Sequence, residues 1–336
     1  MIERERVGVY TTNPQSRTRA YELVAVDEVQ NDVIGSQEIG ANLLADFFAF
    51  LDVSEKTRAT YQRALRQLFK YFTAHGINRP RNEDIVAFKQ EITTAGRKAS
   101  TIASYLSAAR RFFSWTEQRG IYPNVATGIK PPKQDKGHKR DFLGATQLKS
   151  IITSMSHDTL QARRDYAVFV LMASCGLRTI EISRANVEDI RILGDNTVLY
   201  VQGKGRHDRT EFVKLTAPVL QAIRDYLSSR GHVAGTAPLF AGIGNRNHEG
   251  RLTTRTISVI AKQAMRQAGY DSPRLSAHSL RHSAVTLSLL GGMSISDVQA
   301  FARHSNMNTT MIYSHAVDRL RSMCENTISA MLFNAQ

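Results

Sequence analysis

Acidic residues are scarce. The chain of 336 residues sets 30 Asp and Glu against 44 Lys and Arg, a formal net charge of +14. A deficit of that size argues for a polyanionic partner, with nucleic acid ahead of an anionic membrane surface. Cysteine is nearly absent: Cys175 and Cys324 lie in apolar stretches and read as small core residues of a reducing compartment. Long apolar runs are missing as well. The longest, Tyr166 to Leu177, is broken by Ser174 and Gly176, falls short of a bilayer span, and reads as a buried core helix. The opening MIERERVGVYTTNPQ is charged and has no apolar signal core, so secretion is not expected. No Cys/His spacing suggests a zinc site and no GxxxxGK[ST] loop suggests ATP, so neither metal nor cofactor is expected.

What is present divides by pattern. Residues 1–38 show weak periodicity and scattered arginines, and read as an N-terminal arm. From residue 39 the apolar spacing turns helical: Leu43, Leu44, Phe47, Phe48 and Leu51, then Tyr61, Leu65, Leu68, Phe69 and Phe72 behind a Ser54 cap. Asn82 is the expected cap of a third helix, and Ser100 opens a fourth with Ile102, Leu106, Ala109, Phe112 and Phe113 on one side. Residues 39–122 thus predict a small four-helix domain whose outer faces are basic. Arg58, Arg63, Arg66, Arg110 and Arg111 are candidate phosphate contacts. Residues 123–140, with Pro131, Pro132, Lys133 and Gly137, read as an extended basic linker, and Lys133 as a further contact.

A mixed domain is expected over 141–320, and a helical tail over 321–336. A long apolar helix ends at Gly176. TVLYVQGKGRHDRTEFVKL alternates like two strands about a Gly-rich turn that carries Lys204 and Arg206. The fold class is therefore mainly α with a small antiparallel β-sheet.

The chemistry concentrates between Leu275 and Ala316. His278 and Arg281 share one helix face, His304 ends a short helix capped by Ser294, and Tyr313 follows nine residues later. Arginine offers a planar fork that matches phosphate oxygens, histidine moves protons near neutral pH, and tyrosine is a possible covalent nucleophile. Upstream, Arg178 follows Gly176-Leu177, and Glu181, three residues on, can hold its guanidinium.

The order Arg178, Lys204, His278-x-x-Arg281, His304, Tyr313 resembles the tyrosine recombinase (phage-integrase-type) family over residues 39 to about 320. CGLRTIEI resembles its first arginine box, GKGRHDR its lysine hairpin, SAHSLRHSAVT its His-x-x-Arg box and HSNMNTTMIYSHA its closing His…Tyr box; the helical domain resembles its core-binding (SAM-like) DNA-binding domain. The chain departs from the family pattern in having Arg303 where glycine is usual before the last His, and in a longer strand, EFVKL, after the lysine turn. The resemblance implies that Tyr313 attacks a DNA phosphate to give a 3′-phosphotyrosine, with Arg178 and Arg281 clamping the phosphate. It makes Lys204 the general acid, has His278 assist proton transfer at Tyr313, and has His304 donate to the phosphate. His282 is a neighbour that the family often shows and is not assigned a role. Double-stranded DNA, a Holliday junction and a homotetramer on DNA are the implied partners, with an accessory DNA-bending protein left open. The implied location is cytoplasmic and nucleoid-associated. Integration and excision of a mobile element is the favoured role, and Xer-type dimer resolution the alternative. A type IB topoisomerase and a non-catalytic DNA-binding regulator rank lower, because a retired site has no need of all six residues.

Overall fold

The computed structural model describes residues 37–133, 141–203 and 208–333. Residues 1–36 of the arm expected over 1–38 lie outside the described residues, as do the loop positions Lys204 and Arg206. The chain forms two compact units, divided between Lys136 and Gly137.

The first unit holds α1 (Gln37–Phe50), α2 (Glu55–Ala74), α3 (Asn82–Thr94) and α4 (Ala99–Gln118). Ser54 caps α2 as its sequence predicts, its side chain accepting from the Thr57 amide. The apolar stripes of these helices meet in an aromatic core. Phe112 is fully buried, edge-on to both Phe47 and Phe69, with Trp115 alongside. Two expectations fail locally. The N-cap of α3 is Arg81, whose amide donates to the Asp84 carboxylate; Asn82 instead donates to Val125 and Thr127 carbonyls, pinning the chain that follows α4. Arg58 is not an outward phosphate contact. Its guanidinium donates to the Phe48 and Leu51 carbonyls and so terminates α1, where orphan carbonyls need donors. Arg63, Arg66, Arg111 and Lys133 are exposed. Arg110 and Arg111 line a polar hollow of about 450 Å³ with Tyr61, Ser107 and Asn124.

The second unit is built around α6 (Leu160–Cys175), whose first turns carry Gln161, Arg163, Arg164 and Asp165 and which is apolar on every side and buried from Ala167 to Ala173. A helical stretch with no polar face must be covered all round. It is flanked by α5 (Ala145–Ser154), α8 (Ala217–Arg230), α9 (Thr254–Gln267) and α10 (Ala277–Leu290). Cys175 is buried here, and burial pushes its thiol up to about 12. Between α6 and α8 run α7 (Thr179–Arg184) and an antiparallel sheet in the order β1 (Ile190–Leu193), β2 (Asn196–Val201), β3 (Glu211–Lys214). Strand β1 joins the two strands that the sequence predicts. The unit closes with α11 (Ile295–Ala302), α12 (Met307–Arg321) and α13 (Cys324–Phe333). Helix α13 buries no residue; Cys324 is exposed, as are Met331 and Phe333, each about 80% accessible. Among the described residues no helix is long and apolar enough to cross a membrane.

Candidate active site

Three guanidiniums gather at the C-terminal end of α11, where backbone carbonyls and the negative end of the helix dipole attract cations. Arg281, one turn into α10, is 2% exposed. It donates Nη1 to the Gly176 carbonyl at 2.5 Å and Nη2 to the Ala302 carbonyl. Gly176 suits its place: it ends α6 at φ 59°, where a side chain is strained, and a Cβ there would crowd the Phe301 ring at 3.2 Å. Arg178 caps α7 and is held by Glu181, which accepts from its Nη1 and from its amide, both at 2.8 Å. Arg178 also approaches the Arg303 carbonyl at 3.5 Å.

Arg303 is the third. It ends α11 at φ 53° and ψ 48°, left-handed backbone that a side chain adopts at a cost of about 1–2 kcal/mol. Its guanidinium is buried, with Nη2 3.1 Å from Glu181 Oε2 and Nη1 donating to the Phe301 carbonyl at 2.7 Å. Glu181, itself buried, thus bridges two arginines. The pair holds its carboxyl below the usual range even though burial pushes the other way. Arg281 is pushed down to about 9 by burial first, then by repulsion from Arg178 and Arg303. The cluster is therefore an electropositive pocket short of an anion.

His304 follows Arg303. Its Nδ1 lies 2.9 Å from the Thr310 hydroxyl, and its carbonyl accepts from Gln299 at 3.1 Å. Burial lowers its pKa to about 4, with Arg281, Arg178, Arg303 and His278 adding repulsion. The ring is neutral at neutral pH. Tyr313, on α12, is buried in a small apolar cluster with Val285, Leu289, Val298 and Val317. Burial raises its hydroxyl to about 12, against the opposing pull of Arg281 and Arg178. The hydroxyl is hydrogen-bonded to His282 Nδ1, and the His304 ring stacks at 6.3 Å.

Arg178, Glu181, Arg281, His304 and Tyr313 are thus brought together. His278 lies beside the histidine that bonds the tyrosine. It is exposed in the first turn of α10, with its ring 4.4 Å from that of His282. His282, one turn further along, is hydrogen-bonded to the tyrosine hydroxyl. The sequence holds its signal, a His at i+4 from His278 on the same helix face, but the approach of α12 decides which ring touches Tyr313. Arg303, seen in sequence only as a departure, is also part of the site. On either side of the undescribed residues 204–207, Arg184 donates to the Gly203 carbonyl at 3.0 Å and Arg209 pairs with buried Asp189 at 2.6 Å.

A buried tyrosine hydroxyl on a histidine, beside paired arginines and a neutral imidazole, defines a class: proteins built to make and break a phosphodiester through a tyrosine. Comparison with known proteins is specific. The phage integrase family matches residues 141–319, and the phage integrase N-terminal SAM-like domain matches 44–120. Tyrosine recombinase XerC of Neisseria meningitidis serogroup C (strain 053442) is 31% identical over 272 residues, spanning 78% of this chain and 85% of that protein. Tyrosine recombinase XerD of Yersinia pestis is 30% identical over 277 residues, spanning 81% and 91%. The fold is that of the XerH site-specific recombinase in its post-cleavage complex with difH substrate, with a TM-score of 0.67 at 20% identity over 81% of this chain and 79% of that one. It is likewise that of the Tn1549 transposon integrase in complex with circular intermediate DNA, with a TM-score of 0.65 at 17% identity over 81% and 94%. The chain belongs to the phage integrase, or tyrosine recombinase, family, whose members cleave and rejoin DNA through a tyrosine intermediate.

Proposed function

We propose that this protein is a site-specific DNA recombinase whose nucleophile is Tyr313. The observation that carries the reading is the convergence of Tyr313, Arg178, Arg281 and His304 on the end of α11. The Tyr313 oxygen attacks a DNA phosphate and bonds to phosphorus, while the bond to the 5′ oxygen breaks. A 3′-phosphotyrosine and a 5′-hydroxyl result, and the bond energy is kept for rejoining. The Tyr313 proton passes to His282, which touches it; His278 sits at the site's exposed edge as a second proton carrier. Lys204 protonates the leaving 5′ oxygen, a role resting on the resemblance of its hairpin. Arg178 and Arg281 stabilise the charge that grows on the five-coordinate phosphate. With Thr310 engaging Nδ1, a neutral His304 can carry its proton on Nε2 and donate it to a non-bridging oxygen.

Strand exchange between two duplexes by way of a Holliday junction calls for four such sites, hence a homotetramer on DNA. The exposed apolar side chains of α13 suit docking onto a neighbouring copy. Arg63, Arg66, Arg110, Arg111, Lys133 and Arg206 are the proposed phosphate contacts away from the active site, and residues 39–122 and 141–320 the proposed DNA-binding and catalytic domains. Two biological settings use this chemistry. Integration and excision of a mobile element is the reading that the additional N-terminal segment over 1–38 favours. Resolution of replicon dimers is favoured by one specific observation, the names XerC and XerD carried by relatives at 27–32% identity. Either setting has the protein working in the cytoplasm on nucleoid DNA.

The test is a nicked suicide duplex drawn from sequence flanking its gene, offered to wild type and Tyr313→Phe. A covalent protein–DNA adduct with wild type alone is expected. Tight binding without an adduct on any such duplex would favour the regulator reading. An adduct that persists in Tyr313→Phe would mean that another residue is the nucleophile.

A further inference from the structure

Arg303 occupies a position whose backbone conformation and burial both disfavour it. Among the described residues only Glu249 and Arg303 are non-glycine residues at positive φ. Its side chain is 5% exposed, so its charge is largely desolvated. Its buried Nε has no hydrogen-bond partner. A buried ion pair contributes little net stability once desolvation is counted, so the pair with Glu181 does not by itself account for the residue. Strained backbone of this kind persists where the surroundings require the conformation, and it clusters at functional sites.

What Arg303 does is visible in its connections. Glu181 Oε1 accepts from Arg178 Nη1, and Oε2 takes both the Arg178 amide and Arg303 Nη2. The carboxylate is thus fixed on both oxygens, and with it the Arg178 guanidinium. The backbone of Arg303 lies between the Ala302 carbonyl, which holds Arg281, and His304. One residue therefore joins α7, the end of α10's arginine and the turn that carries His304. Its positive charge lies close enough to repel both the Arg281 guanidinium and a protonated His304.

We infer that Arg303 is a positioning residue. By occupying the second oxygen of Glu181 it holds Arg178 in a single pose, and it supplies a third fixed positive charge behind the phosphate. This rests on the recombinase reading above. In its absence Glu181 would answer only to Arg178, leaving that guanidinium freer to follow the carboxylate than to meet a phosphate. The pocket would also face the transition state with one charge fewer.

Arg303→Gly is a suitable test because glycine accepts the left-handed backbone without strain. Arg303→Lys restores the charge without the planar fork. Three quantities are measured: the urea midpoint, the single-turnover rate of adduct formation at saturating nicked duplex, and the His304 titration midpoint by NMR. For Arg303→Gly the expected result is a urea midpoint equal to or above wild type, with DNA affinity changed no more than a few-fold. Adduct formation should slow by about 10- to 100-fold, as misplaced catalytic groups do. The His304 midpoint should rise, since a repelling charge has gone, and Arg303→Lys should return it toward wild type and recover part of the rate.

A wild-type rate in Arg303→Gly, with Tyr313→Phe still inactive, overturns the inference and leaves the recombinase reading standing. A rate that falls only in step with a lower urea midpoint also overturns it, because Arg303 would then be a structural tie. An inactive wild type on every duplex counts against the recombinase reading instead. The NMR arm still decides in that case: an unmoved His304 midpoint in Arg303→Gly refutes the role of its charge.

Discussion

His304, Arg281 and Tyr313 are each held away from their ordinary protonation behaviour, and each displacement has a measurable consequence. His304 titrates near 4 in the folded chain against an ordinary 6.5. The unfolded chain therefore binds that proton first, so the stabilisation linked to His304 is whole above pH 6.5 and is lost as pH falls toward 4. Urea midpoints taken through that window should fall for wild type and fall less steeply for His304→Gln. Three arginines facing one carboxylate also predict anion binding. Inorganic sulfate at a hundredfold excess over its Kd should stabilise the fold by about 2.7 kcal/mol at matched ionic strength, and Arg178→Met with Arg281→Met should remove the effect. The residue types of this site were legible in sequence because a phosphodiester asks for arginine, histidine and tyrosine. Their partners were not. His278 and His282 lie four apart on one helix, and only the packing of α12 puts the second on Tyr313. Arg58 belongs to a basic-looking face in sequence, yet the end of α1 draws it inward. The left-handed backbone at Arg303 has no signature in a side chain that is not glycine.

At the scale of elements, the helices of the first unit were legible because their apolar positions recur with helical period and Ser54 marks a start. Their stability should depend on the ring cluster. Phe112→Ala removes a fully buried ring that touches Phe47, Phe69 and Trp115, and should cost about 3–5 kcal/mol. Trp115 is the chain's single tryptophan, so its fluorescence reports unfolding of this unit alone and gives the readout directly. Strand β1 escaped the sequence because it is four residues long and mostly exposed, which leaves no alternation to detect. The start of α3 was misread for a related reason: asparagine is a good cap, but Asp84 satisfies the first amides and frees Asn82 to hold Val125 and Thr127.

For the whole molecule, the +14 charge predicts DNA affinity that falls steeply with salt. Arg63→Ala and Arg66→Ala should each reduce the slope of log affinity against log salt by about one, with little change in sequence preference. Deleting the residues after Arg321 should leave binding by single copies intact and weaken cooperative assembly on paired sites, read by gel shift; undiminished cooperativity would remove α13 from the interface. The chain's poverty in cysteine lends itself to the same question. Cys175 is sealed in the core with its thiol pushed up to about 12, whereas Cys324 begins α13 in the open. A maleimide dye added to the native protein should therefore attach at one place without any engineering. The rate of its attachment then becomes a clock for assembly: if α13 is covered when copies meet on DNA, the dye will stop reacting as the complex forms.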